Sequence, residues 1–182
     1  INPRKWQNWH LLSFSWISNN DGVLNYNKWY QGVVPHYVGN LNGQEGDLDP
    51  LCVNRIIKIC DETGTKVIIS SDWRISWYGT QYRLSRMGLD ENYVIDKTPE
   101  YIWRCLSKHD YFMDDYEEKY EYSRGAEVDG WLKEYPEVTN YVIIDDRTDF
   151  TDKQKEHFVH VDPMWGLTDE HVNKAINILN NE

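Results

Sequence analysis

Three short apolar runs in this chain each end in side chains able to hold a phosphate or a metal ion. Leu11–Ile17 runs into Asn19-Asn20-Asp21-Gly22-Val23-Leu24-Asn25. Lys66–Ser70 leads to Ser71 and Asp72, and Tyr141–Ile144 is followed by Asp145-Asp146-Arg147-Thr148-Asp149. Carboxylates brought to one place repel each other unless a hard cation neutralises them, and oxygen donors of this kind suit Mg²⁺. A hydroxyl and a side-chain cation beside them complete a phosphate pocket. Any one such cluster is also what a solvated strand-end turn looks like. Three clusters in register point instead to a shared site.

For the clusters to meet, the runs that carry them must be neighbouring strands. In open α/β sheets ligands bind outside the carboxyl ends of the strands. The segments between the runs supply the helices that such a sheet needs. Asp49-Pro50 gives an N-cap and a proline at the first helical position, Cys52, Val53, Ile56, Ile57 and Cys60 recur on one helical face, and Gly64 stops the helix. Arg74–Met87 forms a helix closed by Gly88, and Tyr93–Asp96 is a weaker strand. Arg124–Glu134 is a helix with Val128, Trp131 and Leu132 inward. His157–Val161 is a further strand, and Thr168 caps a last helix through Val172, Ala175, Ile176 and Leu179. Near-continuous apolar strands alternating with amphipathic helices predict a parallel sheet covered on both faces. Residues 31–49, rich in Gly and Asn, form a long loop of the kind that makes lids.

The chain has 182 residues, 40% hydrophobic and 14% aromatic, which is ample for a core. A chain of this size buries about 70% of the surface it exposes when unfolded. Its 19 Lys+Arg against 30 Asp+Glu give a net charge of −11. That balance argues against a protein that tracks along nucleic acid, which needs a basic surface to displace counterions. It leaves room for an enzyme that holds one phosphate through a bound cation. Cys52, Cys60 and Cys105 form neither a metal-ligand spacing nor an even disulfide set, so they are expected as reduced thiols. No apolar run is long enough to cross a bilayer. Leu11–Ile17 after Arg4 and Lys5 faintly imitates a signal peptide but lacks a small-residue cleavage site. The expectation is a cytoplasmic protein without a membrane partner.

The order NNDGVLN after a strand, then VIISS, then VIIDDRTDF resembles the haloacid dehalogenase (HAD) superfamily of phosphohydrolases. The segments SRGAEVDGWLKEYPEVTNYVIIDD and HFVHVDPMWGLTDEHVNKAI resemble a small phage and bacterial branch of it, found attached to RNA-repair proteins. The resemblance covers about Phe14 to Leu179, with residues 26–49 and 99–122 matching poorly. It implies a HAD-type Rossmann-like α/β fold, a central parallel sheet with helices on both faces. On that reading residues 1–182 form one domain, with 31–49 and 99–122 as cap or lid insertions.

The resemblance also implies roles. In the family's first motif, Asp-x-Asp-Gly, one Asp attacks phosphorus to form an aspartyl-phosphate. The second protonates the leaving group and later activates water, so one hard displacement becomes two easier ones. Here Asp21 matches the second acid and Asn19 stands at the nucleophile position. Ser70 matches the hydroxyl that binds the transferring phosphoryl group, with Ser71 as the alternative register. Arg124 matches the cation of the third motif, with Arg74 as the other candidate. Asp145 matches the metal ligand of the fourth, with Asp146 and Asp149 binding Mg²⁺ or orienting its waters. The implied reaction is Mg²⁺-dependent hydrolysis of a phosphate monoester. The branch resemblance alone points to a nucleotide or a nucleic-acid end as substrate. An amide is a poor nucleophile, so very low turnover is expected. The alternative is a pseudoenzyme that binds a phosphorylated ligand or a protein partner through the inherited pocket.

Other conspicuous residues are expected to be structural. His157 and His160 form no metal-ligand pattern, the nine Trp are core and lid material, and the acidic run Asp114–Glu121 is a solvated or cap surface. Trp73 is the exception, placed to border the pocket.

Overall fold

Asp49 and Pro50 open a helix in the way their types demand. In a computed structural model that describes residues 12–13, 23–24, 48–70, 72–99 and 123–181, helix α1 spans Pro50–Thr63. The Asp49 carboxylate accepts the Leu51 N–H at 2.9 Å. Gly64, at φ 69°, donates its N–H to the Cys60 carbonyl at 2.8 Å. The left-handed turn that closes the helix is one that glycine adopts without a Cβ penalty. The buried face is Cys52, Val53, Ile56, Ile59 and Cys60. Ile59 joins it although the helical stripe omitted it, and Ile57 is only partly buried.

Among the described residues, five short strands follow the apolar runs. They are β1 (Leu12–Ser13), β2 (Val67–Ile69), β3 (Val94–Lys97), β4 (Val142–Asp145) and β5 (Phe158–His160). All recorded pairings are parallel, with β1 and β5 flanking β4, and β3 beside β2. β1 also lies near β2, which brings the three-stranded sheet β1-β4-β5 beside the two-stranded sheet β2-β3. Helix α2 spans Trp77–Arg86, α3 spans Arg124–Glu134 and α4 spans Asp169–Asn180.

Alternation along the strands divides the core in two. Val67, Ile69, Val142 and Ile144 pack with α1 and with Val172, Ala175 and Leu179 of α4. Ile68 and Ile143, one step out of phase, pack with Val128 and Trp131 of α3. Successive side chains in a strand point to opposite faces, so a sheet with two such clusters has helices on both sides. Arg55 ties α1 to the start of α4, donating to the Leu167 carbonyl at 2.7 Å and pairing with Asp169 at 2.9 Å. Cys52 and Cys60 are buried free thiols, and burial pushes each up to about 12; Cys105 lies outside the described residues.

Two expectations are corrected. The segment Arg74–Met87 is not one continuous helix. Asp72–Ser76 winds as a tight 3-10 turn before α2. Ser76 leaves helical geometry at φ −100°, ψ 55°, and the tight turn buries both Trp73 and Arg74. Trp73 packs in the main core, with the Arg83 guanidinium over its ring at 5.4 Å. The segment His157–Val161 is likewise shorter as a strand, because a 3-10 turn over Asp152–His157 precedes β5. The loop over 31–49 lies outside the described residues up to 47, as does nearly all of 99–122. No helix among the described residues is long and apolar enough to cross a membrane.

Candidate functional site

The carboxyl ends of β2 and β4 carry Ser70 and Asp145, and β1 pairs with β4 and lies near β2. Asn19, Asp21 and Ser71 lie outside the described residues. The chain just after Asp21 is described, and it is pinned to the core. The Val23 carbonyl accepts the Leu167 N–H at 3.0 Å, and the Leu24 carbonyl accepts the Asp49 N–H at 2.8 Å. Both side chains are buried.

Ser70 is fully buried, and its backbone carbonyl accepts from two guanidinium groups. Arg74 Nη1 donates to it at 3.0 Å and Arg124 Nη1 at 2.5 Å. Arg74 Nη1 also donates to Thr98 Oγ1 at 2.8 Å, and Thr98 Oγ1 donates to Ser70 Oγ at 3.3 Å. A guanidinium only donates, so the direction of this chain is set. The Ser70 hydroxyl proton is left to donate elsewhere, which suits a phosphoryl oxygen.

Glu127, one turn into α3, joins the two arginines. Its carboxylate takes both Nη groups of Arg74 at 2.8 Å and Nη1 of Arg124 at 2.9 Å. All three side chains are 2–3% exposed. Because both guanidinium groups reach one carbonyl oxygen, their Nη1 atoms lie no more than about 5.5 Å apart, where two unit charges repel by about 3 kcal/mol at an effective dielectric of about 20. A shared carboxylate offsets that repulsion and leaves the trio with one net positive charge. Glu127 was absent from the sequence reading. Its spacing of three from Arg124 is the only local signal, and that spacing is common on exposed helix faces.

The start of α3 is fixed by the loop after β4. The Ser123 hydroxyl caps the helix by accepting the Ala126 N–H at 3.1 Å. Asp149 Oδ2 accepts the Arg124 N–H at 3.0 Å, and the Asp149 carbonyl accepts the Gly125 N–H at 3.1 Å. Arg147 grips the same carboxylate at 2.9 and 2.7 Å. Asp149 thus joins the β4 loop to the helix that carries Arg124. Buried Gln154 completes the join, donating to the Gly125 carbonyl at 2.9 Å and to Asp129 at 2.7 Å, and accepting the Thr151 N–H at 2.9 Å. Gly125 is required by this close approach.

Asp145 is fully buried at the end of β4. Oδ1 accepts the Arg147 N–H at 2.8 Å, whereas Oδ2 has no hydrogen-bond partner among the described residues. Burial pushes this carboxyl well above the usual range, against the pull of the Arg147 N–H and the Arg124 charge. Half-buried Asp146 is raised as well, chiefly by burial. A buried carboxylate oxygen without a donor is costly unless something supplies positive charge. Two adjacent carboxylates with one orphaned oxygen fit a hard divalent cation such as Mg²⁺. Among the described residues no group of three His, Cys, Asp or Glu side chains forms a complete metal site. His157 stacks on the Tyr141 ring at 4.0 Å and bonds its carbonyl at 3.0 Å, as a structural residue does. Exposed His160 contacts the Asp146 carbonyl at 3.1 Å.

A parallel sheet between helix layers, with acids and a hydroxyl at the carboxyl ends of its strands, defines a Rossmann-like domain. Residues 20–172 match the family described as the HAD domain in Swiss Army Knife RNA repair proteins, and the chain belongs to that family. Its fold is thereby the HAD-type α/β fold, and at family level it is a HAD-type phosphohydrolase domain. The match begins one residue after Asn19. Neither curated proteins nor solved structures gave a match.

Proposed function

We propose that this domain is built to hydrolyse a phosphate monoester with Mg²⁺, on a nucleotide or a nucleic-acid end, and that Asn19 leaves this chain with very low turnover. The observation that carries the reading is the buried Asp145 carboxylate, with one oxygen lacking a donor, in the electrostatic reach of Arg124. The family's association with RNA repair favours a nucleic-acid end as substrate.

In this reading Asp145 and Asp146 hold the cation, together with Asn19 and Asp21. Asp149, engaged by Arg147 and the α3 N-terminus, supports them from behind. Mg²⁺ held there would neutralise the carboxylates and would supply positive charge to a phosphoryl oxygen. Ser70 donates its hydroxyl to the transferring group. Arg124 stabilises charge developing on the equatorial oxygens, which is the main demand of phosphoryl transfer. Asp21 gives a proton to the leaving oxygen. The attack on phosphorus needs a carboxylate at position 19, and an amide there forms no aspartyl-phosphate.

Asn19 itself favours a second reading, a pseudoenzyme that binds a phosphorylated ligand or a protein partner. The separating experiment is Asn19→Asp, assayed with p-nitrophenyl phosphate and Mg²⁺. Turnover that appears with Asn19→Asp and disappears with EDTA supports the enzyme. An inactive Asn19→Asp that still binds inorganic phosphate supports the binding module.

A further inference from the structure

Two buried arginines compete for one backbone carbonyl beneath the proposed phosphate pocket. We propose that Glu127 is a positioning residue that separates their tasks, holding Arg74 as a fixed structural cation and anchoring Arg124 by a single nitrogen toward the Ser70 loop. The inference deepens the phosphate-site reading and rests on it for its functional meaning.

The geometry gives the two arginines unequal shares of the carboxylate. Arg74 meets it with both Nη groups at 2.8 Å, and it also fills Thr98 Oγ1 and the Ser70 carbonyl. A planar guanidinium gripped on two nitrogens by one carboxylate has its orientation set. Arg124 meets the same carboxylate through Nη1 alone, at 2.9 Å, and that nitrogen also bonds the Ser70 carbonyl. Arg124 is held at its backbone as well, by Asp149. The side chain is thus fixed at both ends, with one end bearing on the residue proposed to bind the phosphoryl group. Glu127 sits on α3, whose N-terminus carries Arg124, so the two move as one body. Without the carboxylate the guanidinium groups repel, and Arg124 Nη1 loses the anchor that fixes it beside the Ser70 carbonyl.

The test is a double-mutant cycle on binding of inorganic phosphate with Mg²⁺, by titration calorimetry, with thermal melts to confirm folding. Arg124→Ala should weaken phosphate by about tenfold or more, as loss of a charge-assisted bond does. Glu127→Gln should weaken it by about tenfold as well. The double variant should stay within about twofold of Arg124→Ala alone, because both changes remove one interaction. Glu127→Gln binding as the parent does, or effects that simply add, would overturn the proposal. If Glu127→Gln does not fold, Glu127→Asp replaces it, keeping the charge and drawing the carboxylate back by one methylene. Weak phosphate binding by that variant supports the proposal, and binding equal to the parent overturns it. If the parent itself takes up no phosphate, the phosphate-site reading has failed. Glu127 is then judged by the ¹⁵N guanidinium resonances of Arg124. Slow side-chain exchange lost in Glu127→Gln supports the positioning role, and exchange unchanged in that variant refutes it.

Discussion

Gly125→Ala offers a direct probe of how the helix bearing Arg124 is seated. A Cβ at this position would lie 2.7 Å from Gln154 Oε1, 2.9 Å from Thr151 N and 3.0 Å from Phe150 Cα. Two of these neighbours are backbone, and the third is a buried side chain held by three hydrogen bonds. To reach ordinary contact, α3 must withdraw by roughly half an ångström, a shift typical of overpacked cores that costs about 1–3 kcal/mol. The withdrawal stretches the bonds from Arg124 N and Gly125 N to Asp149 and from Gln154 to the Gly125 carbonyl, each worth about 1 kcal/mol. Alanine recovers up to about 1 kcal/mol of helix propensity. The net loss is about 2–3 kcal/mol, or roughly 4–12 °C in melting temperature for a chain of this size. Gly64→Ala is the control. It meets nothing within 4 Å, but its φ of 69° strains any L side chain, so it costs about 1 kcal/mol far from the site. Calorimetric melts and titration with phosphate and Mg²⁺ should show both variants destabilised and only Gly125→Ala weakened in binding. A Gly125→Ala protein that melts at or above the parent, or binds phosphate as Gly64→Ala does, refutes the reasoning.

Further outcomes follow from two titratable groups shifted by burial. Asp145→Asn removes a buried charge, so without divalent ions the variant should melt at or above the parent. Mg²⁺ at about ten times its Kd should stabilise the parent by about 1.4 kcal/mol and leave the variant unmoved. In the metal-free parent the raised Asp145 carboxyl keeps its proton longer than in the unfolded chain. Stability is therefore lost as pH rises from about 4 through that raised value, and Asp145→Asn should lack this loss; equal pH slopes in the two proteins would count against it. His171 is shifted the other way, below 6.5, chiefly by burial, and its Nδ1 accepts the Thr168 N–H at 3.1 Å to cap α4. The unfolded chain takes up that proton first, so stability falls as pH drops from about 6.5 toward the lowered value. His171→Gln, which can keep the capping box, should flatten the parent's slope between pH 7 and 5 in chemical denaturation; an unchanged slope would rule this cause out.

Local chemistry made much of the fold legible. Asp49-Pro50 and Gly64 bound α1, the helix over Arg124–Glu134 has the limits its pattern predicts, and Thr168 caps α4. These features depend on backbone groups within a few residues, which sequence spacing shows directly. The apolar runs likewise announce strands, since continuous burial on two faces leaves no polar position along them. The family match covers residues 20–172, which takes in the second and third runs and their strand ends but not Leu11–Ile17.

Tertiary structure alone decided what surrounds Ser70 and Asp145. Arg74 and Glu127 are 53 positions apart, and Arg124 stands 54 from Ser70. No local pattern says that they share one buried cluster. The break of the Arg74–Met87 helix has a tertiary setting too, because the tight turn that ends at Ser76 carries Arg74 inward to Glu127. The family resemblance made Asp149 a residue that binds Mg²⁺ or orients its waters, yet its oxygens are occupied by Arg147 and the Arg124 backbone. A charge's role depends on which opposite charge or orphaned donor arrives beside it out of water. Residue types name the chemistry available, and only the packed chain decides which groups meet with their solvent removed.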